Sequence, residues 1–244
     1  MTALIHLTLD GKVATLTMND GQAVSKNAHN LAFATELLAK LEEVEANKNI
    51  KSLIITSDDG KNWSQGIDVP WFLGLIQKQD FEPLQTFLRT MDQVYSKLMS
   101  FPVPVIAAIN GHTFGNGCVL AAACDFRIMR KDRGYVCFPE IDLGIPFLPG
   151  LVDVILKAFP HKTFNQMILT GKKYTAEEMQ ALGVIEFLAD DQESLQTQAS
   201  SFAKEFNKKR PIFSDHKKKL NEKIVNTMLE KNLPAIENKA FFLQ

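Results

Sequence analysis

Pro104-Val105-Ile106-Ala107-Ala108-Ile109-Asn110-Gly111 sets five apolar residues between a proline and an Asn-Gly turn pair. A run that short, bounded that way, reads as a strand buried on both faces. Turn residues continue from Gly111 to Gly117, and Val119–Ala123 then reads as a short helix of small residues. Strand, turn and helix in that order form the unit of an α/β core, in which helices join parallel strands. Leu53-Ile54-Ile55-Thr56, stopped by Asp58-Asp59-Gly60, opens such a unit upstream, and Asp125–Met129 opens the next one downstream.

The flanks extend this α/β class. Leu4–Leu9 and Val13–Met18 alternate as strands, with Asp10-Gly11 as their hairpin turn. Leu31, Ala34, Leu37, Leu38, Leu41 and Val44 recur at helical spacing, which predicts an amphipathic helix over 30–46. A mostly helical stretch runs from Val69 to Ser100, until Pro102 and Pro104 break it. Beyond Pro149 the pattern predicts helices over 149–158, 161–170, 175–182, 191–209 and 212–231, with Gly171 and Gly183 as stops and Pro211 as a separator. No internal repeat and no low-complexity linker interrupts the chain.

Composition narrows the partners. The 244 residues are 45% hydrophobic and 23% charged, the mix of an ordinary globular chain, with a net charge of −1. That charge gives no drive toward nucleic acid or an anionic membrane. Between Lys204 and Lys223 eight Lys/Arg face three Asp/Glu. The run reads as a solvated helical face, with attraction of a phosphorylated ligand as the functional alternative. Cys118, Cys124 and Cys137 form no CxxC pair, so neither a disulfide framework nor a zinc site is indicated, and a reducing, cytoplasmic setting is expected. Met1–Leu9 has no secretory pattern, no apolar run is long enough for a membrane helix, and the terminal Phe-Leu-Gln is not a peroxisomal Ser-Lys-Leu address. No metal is expected.

The chemistry concentrates in two segments. Phe114-Gly115-Asn116-Gly117-Cys118-Val119 is a tight turn feeding a helix, and a helix N-terminus offers unpaired N–H groups to a developing oxyanion. Phe138-Pro139-Glu140-Ile141 places a carboxylate among apolar neighbours, a setting that raises its pKa and suits a proton shuttle. A second turn, Trp63-Ser64-Gln65-Gly66-Ile67-Asp68, follows an earlier strand. Two such turns after successive strands can aim two N–H groups at one point, as a thioester oxyanion requires. The Gly115-Asn116-Gly117 turn lacks the third glycine of a dinucleotide fingerprint, and no GxxxxGK[ST], HExxH or GxSxG occurs.

Over about residues 5–190 the chain resembles the crotonase superfamily, the enoyl-CoA hydratase/isomerase group. The resemblance rests on Ser25-Lys26-Asn27-Ala28, the Trp63–Asp68 turn, Pro104–Gly111, Gly115-Asn116-Gly117-Cys118, Cys124-Asp125-Phe126-Arg127-Ile128, Pro139-Glu140-Ile141-Asp142-Leu143-Gly144, Leu169-Thr170-Gly171 and Ala181-Leu182-Gly183-Val184-Ile185, in order. It implies a superhelix of β-β-α turns as a core domain over 1–190. A C-terminal helical region over 191–244 would serve oligomerisation and cover the active site, with a homotrimer or hexamer as the assembly. It implies an acyl-CoA thioester as substrate, with coenzyme A belonging to the substrate and no separate cofactor.

By the same resemblance the oxyanion hole is the backbone N–H groups of Gln65 and Asn116, and Lys26, Ala28, Ser64, Gln65, Gly66, Ile67, Asp68 and Asn116 bind substrate. Asn116 stands where a glycine is common, so its side chain is expected to narrow the pocket, and Asn116→Gly and Gln65→Ala to be tolerated. Hydratases of the family carry two glutamates, aligned here with Val119 and Glu140. Valine transfers no proton, whereas moving a double bond needs one shuttle, Glu140. The expectation is a 3-enoyl-CoA to 2-enoyl-CoA isomerase, with Val119→Glu restoring weak hydration. The alternatives are another crotonase reaction (hydration, hydrolysis or decarboxylation) and a silent homologue that binds acyl-CoA or a protein. Asp142 is the next candidate base, His112 and Cys118 read as structural, and Asp68 and Asp125 as turn braces. Trp71, Phe72, Leu75, Phe147 and Leu148 are candidates for an acyl pocket or for core.

Overall fold

The computed structural model describes residues 3–19 and 26–242; Ser25 of the resemblance falls outside them. Strands β1 (Ile5–Asp10) and β2 (Val13–Met18) form an antiparallel hairpin whose two-residue turn is Gly11-Lys12, one residue later than expected. Next come β3 (Ala28–His29), α1 (Leu31–Ala46), β4 (Ser52–Ser57), β5 (Asn62–Ser64) and β6 (Gly66–Ile67). The side chain of Asn30 caps α1 by accepting from Phe33 N–H at 3.1 Å. The helical stretch after Ile67 is two helices, α2 (Val69–Gln77) and α3 (Glu82–Ser100), broken where Gln79 takes a left-handed φ of 56° and restarted by Pro83 in the first turn.

The central units follow as β7 (Val105–Ile109), β8 (His112–Phe114), α4 (Asn116–Ala123), β9 (Phe126–Arg130), β10 (Val136–Cys137) and α5 (Glu140–Leu143). The rest comprises α6 (Pro149–Leu156), α7 (His161–Thr170), α8 (Ala176–Ala181), β11 (Phe187–Ala189), α9 (Gln192–Lys204) and α10 (Arg210–Thr227). A π-turn, Met228–Asn232, then leads into α11 (Leu233–Glu237). Pro211 lies in the first turn of α10 rather than separating helices, since that turn needs no proline N–H.

The large sheet runs β1-β2-β4-β7-β9-β11, parallel from β2 onward. A second, three-stranded parallel sheet runs β10-β8-β5, and β3 pairs with β6. The chain therefore repeats one move: a strand in the large sheet, a short strand in a smaller one, then a helix. This is the β-β-α superhelix, although no sequence repeat announces it. The turn region 111–117 hides β8, because strands of two or three residues are too short to show alternation.

Alternation along the large sheet sorts its two faces. Leu53, Ile55, Val105, Ala107, Ile109 and Met129 point into the main core with α1, α3 and α4. Ile54, Ile106, Ala108 and Ile128 point the other way and meet Leu195, Ala199 and Ala203 of α9. Among the described residues no helix is long and apolar enough to cross a membrane.

Helix α4 is buried along its whole length, so both ends need polar partners. At the C-terminal end Lys157 Nζ donates to Cys124 O at 2.8 Å, and Arg127 donates to Cys124 O at 3.0 Å and Ala121 O at 3.3 Å. Cations there also complement the helix dipole. Arg127 further bonds Val184 O at 2.7 Å and pairs with Glu186. The basic run is likewise not just a solvated face. Buried Arg210 bonds the carbonyl of Glu45 in the last turn of α1 and those of Asn47 and Ile50 just beyond it, and buried Lys217 meets Asp125 at 2.7 Å. Arg127→Ala strips several buried carbonyls of their donor and is expected to lower unfolding free energy by about 3 kcal/mol in urea titration. Arg127→Lys recovers only part, because an ammonium cannot reproduce the guanidinium fork.

Candidate active site

The two glycine-bearing turns converge. Gly66 has φ 82°, and a Cβ there would sit 2.6 Å from Phe114 O and 3.0 Å from Asn116 N. Strand β6 thus runs directly against the N-terminus of α4. Asn116 N–H, in the first turn of α4, meets no acceptor among the described residues.

Which N–H of the other turn faces that point is set by the β3–β6 ladder. Gln65 N–H donates to Lys26 O at 2.9 Å, so it is already engaged. This overturns the expectation that Gln65 supplies an oxyanion donor. Asp68 N–H donates to His29 O at 2.9 Å in the register His29↔Ile67. N–H groups alternate in direction along a strand, so the Ile67 N–H leaves β6 on the edge away from β3. Ile67 lines an inner cavity together with Asn116 and Glu140.

Glu140 opens α5 and is 8% exposed. Its Oε1 lies against Gly115, where φ is 51° and a Cβ would approach within 2.7 Å of that oxygen. Oε2 is buried and has no hydrogen-bond partner among the described residues. Burial raises the carboxyl from 4.5 to about 7. The carboxylate, the α4 N-terminus and the free edge of β6 therefore border one cavity of about 30 Å³, closed by Phe72, Phe147 and Leu148. Trp71 and Leu75 pack into the core instead, with Trp71 edge-on to Phe87 at 5.5 Å.

Ile67 also lines an outer cavity of about 780 Å³ that collects Lys26, Ala28, Gln65 and Asp68. Ser64 and Gly66 are buried and line neither cavity. Asp68 caps α2 by accepting from Trp71 N–H at 3.2 Å, and Asp125 accepts from Val105 N–H at 2.8 Å, both as braces.

Other candidates lie apart. Asp142 is exposed, with its Oδ2 against Gly171. His112 stacks on Tyr135, and burial together with Lys61, Lys173 and Arg133 lowers its pKa. All three cysteines are buried and free; burial pushes the Cys118 thiol up, and it donates to Thr113 O at 2.9 Å. Val119 is fully buried in α4 and lines neither cavity. Val119→Glu would therefore bury a charge in packed core, which undercuts the expected gain of hydration.

The Asn116 side chain does not hang free in the pocket. Its Oδ1 accepts from Tyr95 OH at 2.7 Å, and its Nδ2 lies 2.9 Å from His29 Nδ1. His29 Nε2 lies 2.9 Å from Ser64 Oγ, and the ring stacks on Phe33 at 4.3 Å. Removing this amide breaks a buried network, so Asn116→Gly is not the neutral change expected from sequence. Sequence reasoning missed His29 and Tyr95, since a lone histidine and a helical tyrosine give no sign of their meeting.

With the site in place, comparison with known proteins defines the family. Residues 8–241 match the family model described as enoyl-CoA hydratase/isomerase. Enoyl-CoA delta isomerase 3 of Arabidopsis thaliana is 32% identical over 161 residues, 64% of this chain and 65% of that protein, just under two thirds of the relative's length. Two crystal structures share the fold at 22% and 21% identity. The enoyl-CoA hydratase of Bacillus halodurans has a TM-score of 0.87, with 99% of this chain and 96% of that chain covered. The human mitochondrial delta3-delta2-enoyl-CoA isomerase also has a TM-score of 0.87, with 96% and 90% covered. The chain belongs to the enoyl-CoA hydratase/isomerase family, the crotonase superfamily its motifs resemble.

Proposed function

We propose that the protein is an enoyl-CoA isomerase that moves a double bond from C3 to C2 of an acyl-CoA thioester. The observation that carries this is the buried Glu140 carboxylate beside the α4 N-terminus, the one carboxylate that lines the inner cavity among the described residues, with valine at position 119. The delta isomerase relative, at 32% identity, supports the same reading.

In this mechanism the thioester oxygen accepts from the N–H groups of Asn116 and Ile67. Glu140 removes a proton from C2, and the electron pair spreads through the double bond and the carbonyl as a dienolate. The two donors stabilise the oxyanion, and the Glu140 carboxyl returns the proton to C4. No atom is gained or lost. A carboxyl with a pKa near 7 can occupy both states during the cycle. The inner cavity takes the reacting carbons, and the outer one, with Lys26 at its wall, takes the coenzyme A portion. Hydration would also need a second group to activate water, and buried Val119 offers none.

The purified protein should convert 3-hexenoyl-CoA, followed spectroscopically, while hydrating crotonyl-CoA far more slowly. Faster hydration than isomerisation would overturn the assignment. Glu140→Gln keeps volume and removes the proton shuttle, so isomerase turnover should fall by about 10²–10⁴ with binding of a saturated acyl-CoA retained.

Glu140 must start ionised, so kcat/KM should rise with pH through about 7 and then level. Stability should move the other way. Between 4.5 and about 7 the folded protein holds a proton that the unfolded chain has released, so this group's contribution falls as pH rises across that window. Urea midpoints should show Glu140→Gln gaining on the unmodified protein above about pH 7 and showing no such gain below about pH 4.5. A pH-independent difference would place the Glu140 pKa elsewhere.

A further inference from the structure

Between the two turns that would form the oxyanion hole lies a closed chain of buried side chains. Tyr95 OH, Asn116, His29 and Ser64 follow one another at 2.7, 2.9 and 2.9 Å. Ser64 Oγ then lies 2.8 Å from Asn27 O and accepts from Gly66 N–H at 3.1 Å. Asn27, with a left-handed φ of 43°, donates from its own amide to Trp63 O at 3.1 Å. The chain thus begins on α3, passes through the first residue of α4 and ends under β6. His29, Ser64 and Tyr95 are completely buried.

The proton order in this chain is fixed by its last link. A backbone carbonyl only accepts, so the single Ser64 hydroxyl proton must go to Asn27 O. His29 Nε2 must then donate to Ser64 Oγ. The imidazole is neutral, because burial pushes its pKa down to about 3, so Nδ1 carries no proton. Asn116 Nδ2 must donate to Nδ1, and Asn116 Oδ1 is left to accept from Tyr95 OH. Each link of the chain joins one donor to one acceptor in this one arrangement. An isolated histidine buried to pack would not need partners on both nitrogens that belong to the two oxyanion segments.

We propose that His29, held as the neutral Nε2–H tautomer, is a positioning residue that sets the spacing of the Asn116 and Ile67 N–H donors. This rests on the oxyanion hole described above. Nδ1 of the imidazole fixes Asn116 at the head of α4, and Nε2 fixes Ser64, which holds Gly66 beside Ile67. Oxyanion donors act only within a narrow distance of the charge they stabilise, so slackening this spacer misplaces them without removing either N–H.

The test compares acetoacetyl-CoA, whose enolate carries charge on the thioester oxygen and absorbs in the near ultraviolet, with butyryl-CoA, which forms no such anion. The unmodified protein should raise the bound enolate fraction. Tyr95→Phe and His29→Leu, checked for folding by circular dichroism, should cut that enrichment and kcat by about tenfold to a hundredfold, with butyryl-CoA affinity nearly unchanged. His29→Gln keeps a donor and an acceptor and should recover part of the loss. Independently, ¹⁵N shifts of the His29 ring should show the proton on Nε2 from about pH 5 to 8. Full enolate enrichment in a folded Tyr95→Phe or His29→Leu protein would overturn the proposal. So would equal loss in His29→Gln and His29→Leu, a proton on Nδ1, or titration of His29 in that range. If the unmodified protein itself fails to enrich the enolate, the oxyanion hole is refuted and the positioning role with it.

Discussion

The approach of Gly66 to the N-terminus of α4 is the constraint on which the site depends. No side chain fits between β6 and Phe114 O, so the two segments touch backbone to backbone. That contact aligns the free edge of a strand with the open end of a helix, and Ile67 of the one and Asn116 of the other line the same cavity. The parallel sheet supplies the rest of the geometry. Strands β4 and β7 are hydrogen-bonded neighbours, so the segments that leave their ends begin side by side. The smaller sheet pairs β5 with β8 and holds them together as they turn away.

The electrostatic layout follows from that convergence. Helix α4 has its dipole along a fully buried axis, with Lys157 and Arg127 at the negative end and the site at the positive end. Glu140 sits near that end but gains too little from it to offset its burial, and its pKa is raised overall. His29 and Tyr95 are both driven toward their neutral forms by burial. His29 and Tyr95 are thus uncharged across the range in which Glu140 titrates.

The large sheet was legible because its central strands are runs of five or six residues bounded by breakers. The short strands β5, β8 and β10 were not, because two or three residues carry no period; the superhelix had to come from a family resemblance. Glu140 stood out as a lone carboxylate among apolar neighbours, and Asn116 as the start of a small-residue helix. Gln65 was misassigned for a definite reason. Glycine content marks a turn, but Gly66, with φ 82°, interrupts the strand alternation there, so Gln65 N–H turns to Lys26 O while the Ile67 N–H leaves on the edge opposite that of Asp68. The His29 network joins residues 87 and 21 positions from Asn116, and no local pattern encodes such contacts.

A fold shared by hydratases and isomerases does not choose between them, so the choice falls to the side chains that α4 and α5 present. In this chain α4 presents no acid or base to the cavity. Val119 belongs to the packed core, and the polar side chain of that helix nearest the site, Asn116, is fully engaged with Tyr95 and His29. Helix α5 presents to the cavity one carboxylate, Glu140, with an oxygen left without a partner among the described residues. A buried carboxylate of that kind costs stability in its charged form, and the cost falls when a proton neutralises it. Glu140 is the one titratable group lining the cavity among the described residues, so on the proposed reading the proton it removes is the one it must return. Moving a double bond within one molecule is the thioester chemistry that such a closed proton cycle can complete.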